Sequence, residues 1–514
     1  MRSRPRSAWS AVLAVALVGC GAACTTSEPS AAPCAPFALG AEVYADVGTL
    51  TNTRNTGARS VIVLDEQHAS RVGQVELAIV LNRLHQTAGL RHVALEGSVV
   101  EKPQPTLDWF TSLPDQGIRR AVALQLLKQG EVGAAEFAAM VLPDVRLHAI
   151  EHEQEYQVGK SGVDDRGYTG YLTAIALKSM TADQIQQATA LIDQGKNDEG
   201  IDFIIASNPW TSERGKLLQR KSPIVGSGEM RKLGTELEEK ARQVGAEVGE
   251  YREDLRAAQE FFDAATRRST TMADLATEVA TRQGCAPIAM NVGAAHSAEV
   301  AESLARRDVS YSVVSPTNLT LDWVNGSLSR EAFTRKLSGR SVDPAGAVGA
   351  LLDGRRKPPP TSQQDWFKAK AQLAYATVVI TRAAVAARSG GGGAKPPFNL
   401  TPGALGLGDE GPEAPRIAID LTTVETVDDD VLFKATLRDR NADVWVKAGL
   451  TTPADDPSSS QTLEQALKQI LEDLKKTAPA TEPPAPAKPE AVPVIPGLNA
   501  AIATTKEDAI TAVI

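Results

Sequence analysis

The sequence predicts an α/β protein: a mixed or parallel sheet flanked by helices with a long helical insertion, then a smaller C-terminal helical and β-rich region. Two observations carry this expectation. Between residues 37 and 320, short runs rich in β-branched residues alternate with amphipathic stretches of helical period. Beyond residue 320 the pattern changes to helical stretches broken at Lys357-Pro358-Pro359-Pro360, a Gly/Pro linker at 389–398, and segments that alternate at every second residue. With 514 residues, at least twice the commonest domain size, more than one folded unit is expected. Hydrophobic residues at 42% and charged residues at 23% match globular usage and exclude wholesale disorder.

The elements follow in order. Val61, Ile62, Val63 and Leu64 form a short apolar run, read as a strand. A helix over 74–86 buries Val75, Ala78, Ile79, Leu81 and Leu84, and a second strand over 92–95 follows the turn at Gly89. This makes a β-α-β unit. A third strand over 145–150 starts after the breaker Pro143-Asp144. Residues 164–280 are mostly helical, and Met230, Leu233, Leu237, Ala241, Val244, Val248, Tyr251 and Leu255 recur at three- and four-residue steps, read as the buried face of a helical hairpin with a coiled-coil partner surface as the alternative. A second β-α-β unit closes the region, with a strand over 287–290, a helix over 298–306 and a strand over 311–315. A helical extension spans 321–388. A small β-rich segment at 399–450 contains strands over 417–421, 431–437 and 444–446, separated by acidic turns. In 451–514, Leu463, Ala466, Leu467, Ile470, Leu471 and Leu474 line one face of a helix ahead of a Pro-rich tail.

The N-terminus predicts export. Arg2, Arg4 and Arg6 precede an uncharged run at 8–18 that is too short for a permanent membrane span, the layout of a signal peptide over 1–19. Its end, Leu17-Val18-Gly19-Cys20, resembles the bacterial lipobox, which implies lipidation of Cys20 and a tether over 20–36. The protein is then expected on the cell envelope, at the outer membrane if the host has one, with the membrane as a partner through its lipid. Cys24, Cys34 and Cys285 remain; a pairing of Cys34 with Cys285 is one alternative, and spacing alone does not fix connectivity. Without a CxxC pair no structural zinc site is expected. A net charge of -9, no Lys/Arg run and only 4% aromatics argue against nucleic acid as a partner.

The two β-α-β units share a feature. Each first strand runs into a turn that delivers a histidine before the helix: Leu64-Asp65-Glu66-Gln67-His68 and Asn291-Val292-Gly293-Ala294-Ala295-His296. Glu96 and Glu151 end the other two strands, so these groups would crowd the carboxyl edge of the sheet, where α/β folds bind ligands. Glu66 and His68 could hold a divalent cation together with His296, or His68 could act as general base with Glu66 orienting its ring. The plainer alternative is that each of these residues fixes a loop or caps a helix. A rival motif, His148-Ala149-Ile150-Glu151-His152, fits the H-x-x-E-H zinc pattern, which needs a helix. The alternation of Val145, Leu147 and Ala149 predicts a strand instead, which would hold the two histidines about 13 Å apart.

The Glu66-x-His68 turn, the Ala94-Leu95-Glu96-Gly97 and Leu147-His148-Ala149-Ile150-Glu151 strand ends and Gly293-Ala294-Ala295-His296, in this order, resemble the superfamily that joins erythromycin esterases, ChaN-type haem-binding lipoproteins and TraB/Tiki proteins. The resemblance covers residues 40 to 320. Arg268, and Glu136 in Gly133-Ala134-Ala135-Glu136, resemble further polar positions of the family, whereas Asp65 stands where the family commonly has glycine. The resemblance implies metal-dependent peptidase activity in the Tiki group, metal-independent hydrolysis in the esterases and haem binding in the ChaN group. The expectation is a hydrolase of peptides or esters using Glu66, His68, Glu96, Arg268 and His296. Glu66, His68 and His296, with Glu151 as a weaker fourth, are the metal-ligand candidates. Haem or metal binding without turnover, and an envelope scaffold with a vestigial site, are the alternatives.

Overall fold

The computed structural model describes residues 37–318, except 57–58, 69, 103–106, 129, 131, 160–165, 220–225 and 250, and then 363–389, 400–408, 415–438, 442–450, 461–476, 500–503 and 506. The signal peptide, the tether, Cys20, Cys24, Cys34 and the Pro-rich tail lie outside the described residues. Cys285 is disulfide-bonded. Among the described residues no helix is long and apolar enough to cross a membrane.

The main sheet is mixed and flanked by helices, as the alternation of runs predicts. Its strands are β1 (Gly48–Arg54), β2 (Ser60–Glu66), β3 (His92–Val99), β4 (Arg146–Glu151), β5 (Ile288–Gly293) and β6 (Ser310–Pro316), in the order β1-β6-β2-β5-β3-β4. Five strands are parallel, and β1 closes one edge antiparallel to β6. A parallel strand covered on both faces must be apolar on both, which is why Val61 to Leu64 reads as an unbroken run. Ile62 and Leu64 enter the core on one face, and Val61 and Val63 enter the core on the other.

Helices α1 (Arg71–Thr87), α2 (Asp108–Thr111), α3 (Gln116–Lys128) and α4 (Ala134–Val141) belong to the first face. The Ser70 hydroxyl starts α1 by accepting from the Gly73 N–H at 3.1 Å, which satisfies one orphan donor of the first turn. After α5 (Glu153–Gly159), the expected insertion folds as α6 (Arg166–Leu177), α7 (Ala182–Asp193), α8 (Asn197–Ala206), α9 (Pro209–Gln219), α10 (Ser227–Val244) and α11 (Tyr251–Gln283). The long apolar stripe is a hairpin. Gly245, with φ of 61°, ends α10 in the left-handed region, so Met230, Leu233, Leu237 and Ala241 on α10 meet Leu255 on α11. The C-terminal half of α11 and α12 (Ser297–Arg306) cover the second face of the sheet.

The C-terminal elements are α13 (Gln363–Ser389), β7 (Ile417–Val427), β8 (Asp430–Leu437), β9 (Ala442–Gly449), α14 (Leu463–Lys476) and β10 (Ala500–Ala503), the strands forming an antiparallel sheet ordered β10-β9-β8-β7. Length and the Gly/Pro linker suggested separate units, yet Phe433, Val444, Tyr375 and Leu467 share one continuous core with α1, α3 and α4. Arg83 of α1 joins Asp46 at 2.5 Å and Glu464 of α14 at 2.7 Å across this contact. Two strands were not legible in the sequence. β1 has Leu50 as its one large apolar side chain because it is a half-exposed edge, and β10 is only four residues long, three of them alanine.

Leu467 has no exposed surface. Its truncation, Leu467→Ala, is expected to cost about 2–5 kcal/mol. Thermal unfolding followed by circular dichroism should show one transition at lower temperature, whereas a split into two transitions would mean that the C-terminal elements unfold on their own.

A His/Glu/Arg cluster at the carboxyl edge of the main sheet

The strand order interleaves the two β-α-β units. β2 lies between β6 and β5, and β5 lies between β2 and β3, so the turns after β2 and β5 leave the sheet side by side. Glu66 pairs with Gly293 at the end of this ladder, and the Ala294 N–H donates to the Glu66 carbonyl at 3.0 Å. Both histidine turns are therefore held at one edge by backbone pairing.

Glu66 is buried with its carboxylate enclosed by donors. One oxygen meets Nδ1 of His68. The other accepts from the Gln74 amide at 2.9 Å and from the Asn291 amide at 2.6 Å. Gln74 is oriented in turn, because its carbonyl oxygen accepts from the Ala134 N–H at 2.7 Å. With Nδ1 of His68 against Glu66, the other ring nitrogen, Nε2, is the one left to face the rest of the cluster. That nitrogen lies over Gly293: a methyl group built there would stand 3.2 Å from His68 Nε2 and 3.4 Å from Glu96 Oε2. Glycine leaves room for this approach.

Glu96 sits at a bulge. The β3–β4 register shifts between Leu95 and Val99, where Gly97 has φ of 83° and donates its N–H to Glu151 at 2.7 Å. Arg268 of α11 spans both acids, with Nε on Glu151 at 2.7 Å and Nη2 on Glu96 at 3.3 Å. Glu96 also accepts from the Gly293 N–H at 2.6 Å and faces His296 Nε2 at 3.5 Å. Burial works against the Glu96 charge, yet His296, His68, Arg268 and the Gly293 N–H together hold its pKa below the usual value. Burial pushes the His296 pKa down, against the nearby Glu96 and Glu151 carboxylates. The Tyr156 ring lies 5.8 Å from the Arg268 guanidinium, and burial with Glu151 nearby raises its phenol.

The six residues Glu66, His68, Glu96, Glu151, Arg268 and His296 are thus brought together. Asp65 is not among them. Alternation along β2 turns it to the opposite face, where Ser297 and Ser315 donate to its carboxyl and burial raises its pKa. Asp65 therefore anchors the start of α12 and adds no carboxylate to the cluster. Glu136 stands in the first turn of α4, two residues after the Ala134 N–H that orients Gln74.

Three members escape a reading for motifs: Gln74, Asn291 and Ser269. Each had a weak signal, since each is a polar residue on a face otherwise apolar, and Ser269 directly follows Arg268. Both oxygens of Glu66 already face protein groups, as the carboxylates of metal sites also do. Among the described residues no three His, Cys, Asp or Glu groups are arranged to hold a metal ion. Haem ligation needs an imidazole nitrogen open to a flat macrocycle. His68 and His296 have 12% and 9% side-chain exposure.

His148 to Glu151 of the H-x-x-E-H segment belong to strand β4, as the alternation predicts, and His152 follows its end. His148 Nε2 lies 2.8 Å from His92 Nδ1, whereas His152 pairs with Glu101 at 2.7 Å. The two histidines of the motif therefore serve different partners. The chain finds no match among protein-family models, curated proteins or solved structures, so its function must be argued from these side chains.

Burial, then the charges of His92, Arg282 and Arg146, push the His148 pKa from 6.5 down to about 4. Between those values the unfolded chain binds more protons, so stability falls as the solution is acidified through this window. His148→Gln is expected to lose less melting temperature than the parent between pH 6.5 and pH 4. Equal losses in the two proteins would refute the assignment.

Proposed function

We propose that this protein is a hydrolase of ester or peptide bonds, exported and lipid-anchored through Cys20, that activates water through the Glu66–His68 pair. The observation that carries the reading is the contact of His68 Nδ1 with Glu66, whose other oxygen accepts from Gln74 and Asn291, which turns Nε2 toward Glu96 and Gly293. In the reaction, His68 Nε2 takes a proton from water while the water oxygen bonds to the substrate carbonyl carbon and the carbonyl electrons move onto oxygen. The negative Glu66 stabilises the imidazolium so formed. Arg268, the buried cation beside Glu96, favours the developing oxyanion. Collapse re-forms the carbonyl and breaks the bond to the leaving group, which takes the proton back from His68. The ordered motifs resembling the erythromycin esterase and TraB/Tiki superfamily support the reading. A disulfide at Cys285 accords with an oxidising compartment outside the cytoplasm.

The test is turnover of a panel of ester and peptide substrates by the parent, Glu66→Gln and His68→Ala. Loss of a general base predicts a fall in kcat/KM of about 10²–10⁴ in both variants with folding intact. Equal turnover in parent and variants would end this reading.

A further inference from the structure

We infer that Ser269 is a positioning residue that holds His296 in its Nδ1–H tautomer, so that His296, like His68, presents a basic Nε2 to Glu96. Ser269 is wholly buried on α11, and its hydroxyl has one proton to give. It lies 3.0 Å from the Ala265 carbonyl oxygen one turn earlier and 2.8 Å from His296 Nδ1. When the hydroxyl donates to Ala265, its lone pair accepts from Nδ1–H and both contacts are hydrogen bonds. In the reverse arrangement Ser269 donates to Nδ1, and the Nε2–H must reach Glu96 Oε1 at 3.5 Å, beyond a normal N–H to oxygen bond. The first arrangement makes two hydrogen bonds of normal length through the hydroxyl and the second makes one, with the Ala265 carbonyl losing the hydroxyl proton.

A correspondence between the two turns follows. His68 is held through Nδ1 by Glu66, and His296 is held through Nδ1 by Ser269. Each turn thereby offers Nε2 to the same carboxylate, with Gly293 between them. Glu96 can then stabilise a proton arriving on either ring. The catalytic meaning of this arrangement rests on the hydrolase reading, but the tautomer itself does not.

The test uses the full chain, solubilised in detergent and labelled with 15N-histidine. Two-bond 1H–15N correlation distinguishes the tautomers of the six histidines, and loss of signals in His296→Gln assigns that ring. At mildly alkaline pH the parent is expected to show His296 protonated on Nδ1. Ser269→Ala should move the proton to Nε2, and Ser269→Thr, which keeps the hydroxyl on the helix, should restore the parent form. An Nε2–H ring in the parent, or an unchanged ring in Ser269→Ala, overturns the inference. If the panel is hydrolysed, Ser269→Ala should lower kcat about tenfold with KM little changed, and Thr should recover it. A protein that hydrolyses nothing yet shows this tautomer pattern would end the hydrolase reading and leave this inference standing.

Discussion

The ion pairs of Arg268 with Glu151 and Glu96 are the constraint on which the rim depends. They tie a helix of the second layer to the ends of two strands, and they hold a buried guanidinium against two carboxylates that would otherwise repel each other. A buried pair of this kind is a weak source of net stability but a strong constraint on geometry, because removing either partner strands a charge away from water. Since Ser269 follows Arg268 on the same helix, fixing Arg268 also fixes the group that meets His296. The bulge at Gly97 completes the arrangement by aiming a backbone N–H at Glu151.

The three glutamates of the cluster are chemically similar in sequence and distinct in structure. Glu66 is enclosed by amides and an imidazole, Glu151 by a guanidinium and a backbone donor, and Glu96 by positive groups and the Gly293 N–H. Environment separates them: Glu66 meets His68, Glu151 anchors Arg268, and Glu96 faces His296. The C-terminal half contributes at a distance. α14 packs on α1, the helix that carries Gln74, so the far end of the chain braces the residue that orients Glu66.

Much of this was legible in the sequence. The parallel strands announced themselves as unbroken apolar runs, and the two histidine turns were visible as a repeat because each follows such a run. Glu96 and Glu151 were found as strand-end acids. Strand order was not legible, and it is strand order that sets the turns side by side. The facing of Asp65 depended on whether alternation continued through the last residues of β2, which a turn-like sequence leaves open. Gln74, Asn291 and Ser269 were hidden because single polar residues in apolar elements have no spacing to betray them. Their roles emerge only from the partners that the fold supplies.

Direct activation of water at this rim is most sharply tested by the fate of the solvent oxygen. With the ester or peptide that the protein turns over best, a single turnover in 18O water is analysed by mass spectrometry of both product and protein. Direct attack by water places one solvent oxygen in the released acid and none in the carboxylates of Glu66, Glu96 or Glu151. Label in any of these carboxylates, or no turnover across the substrate panel, would contradict it.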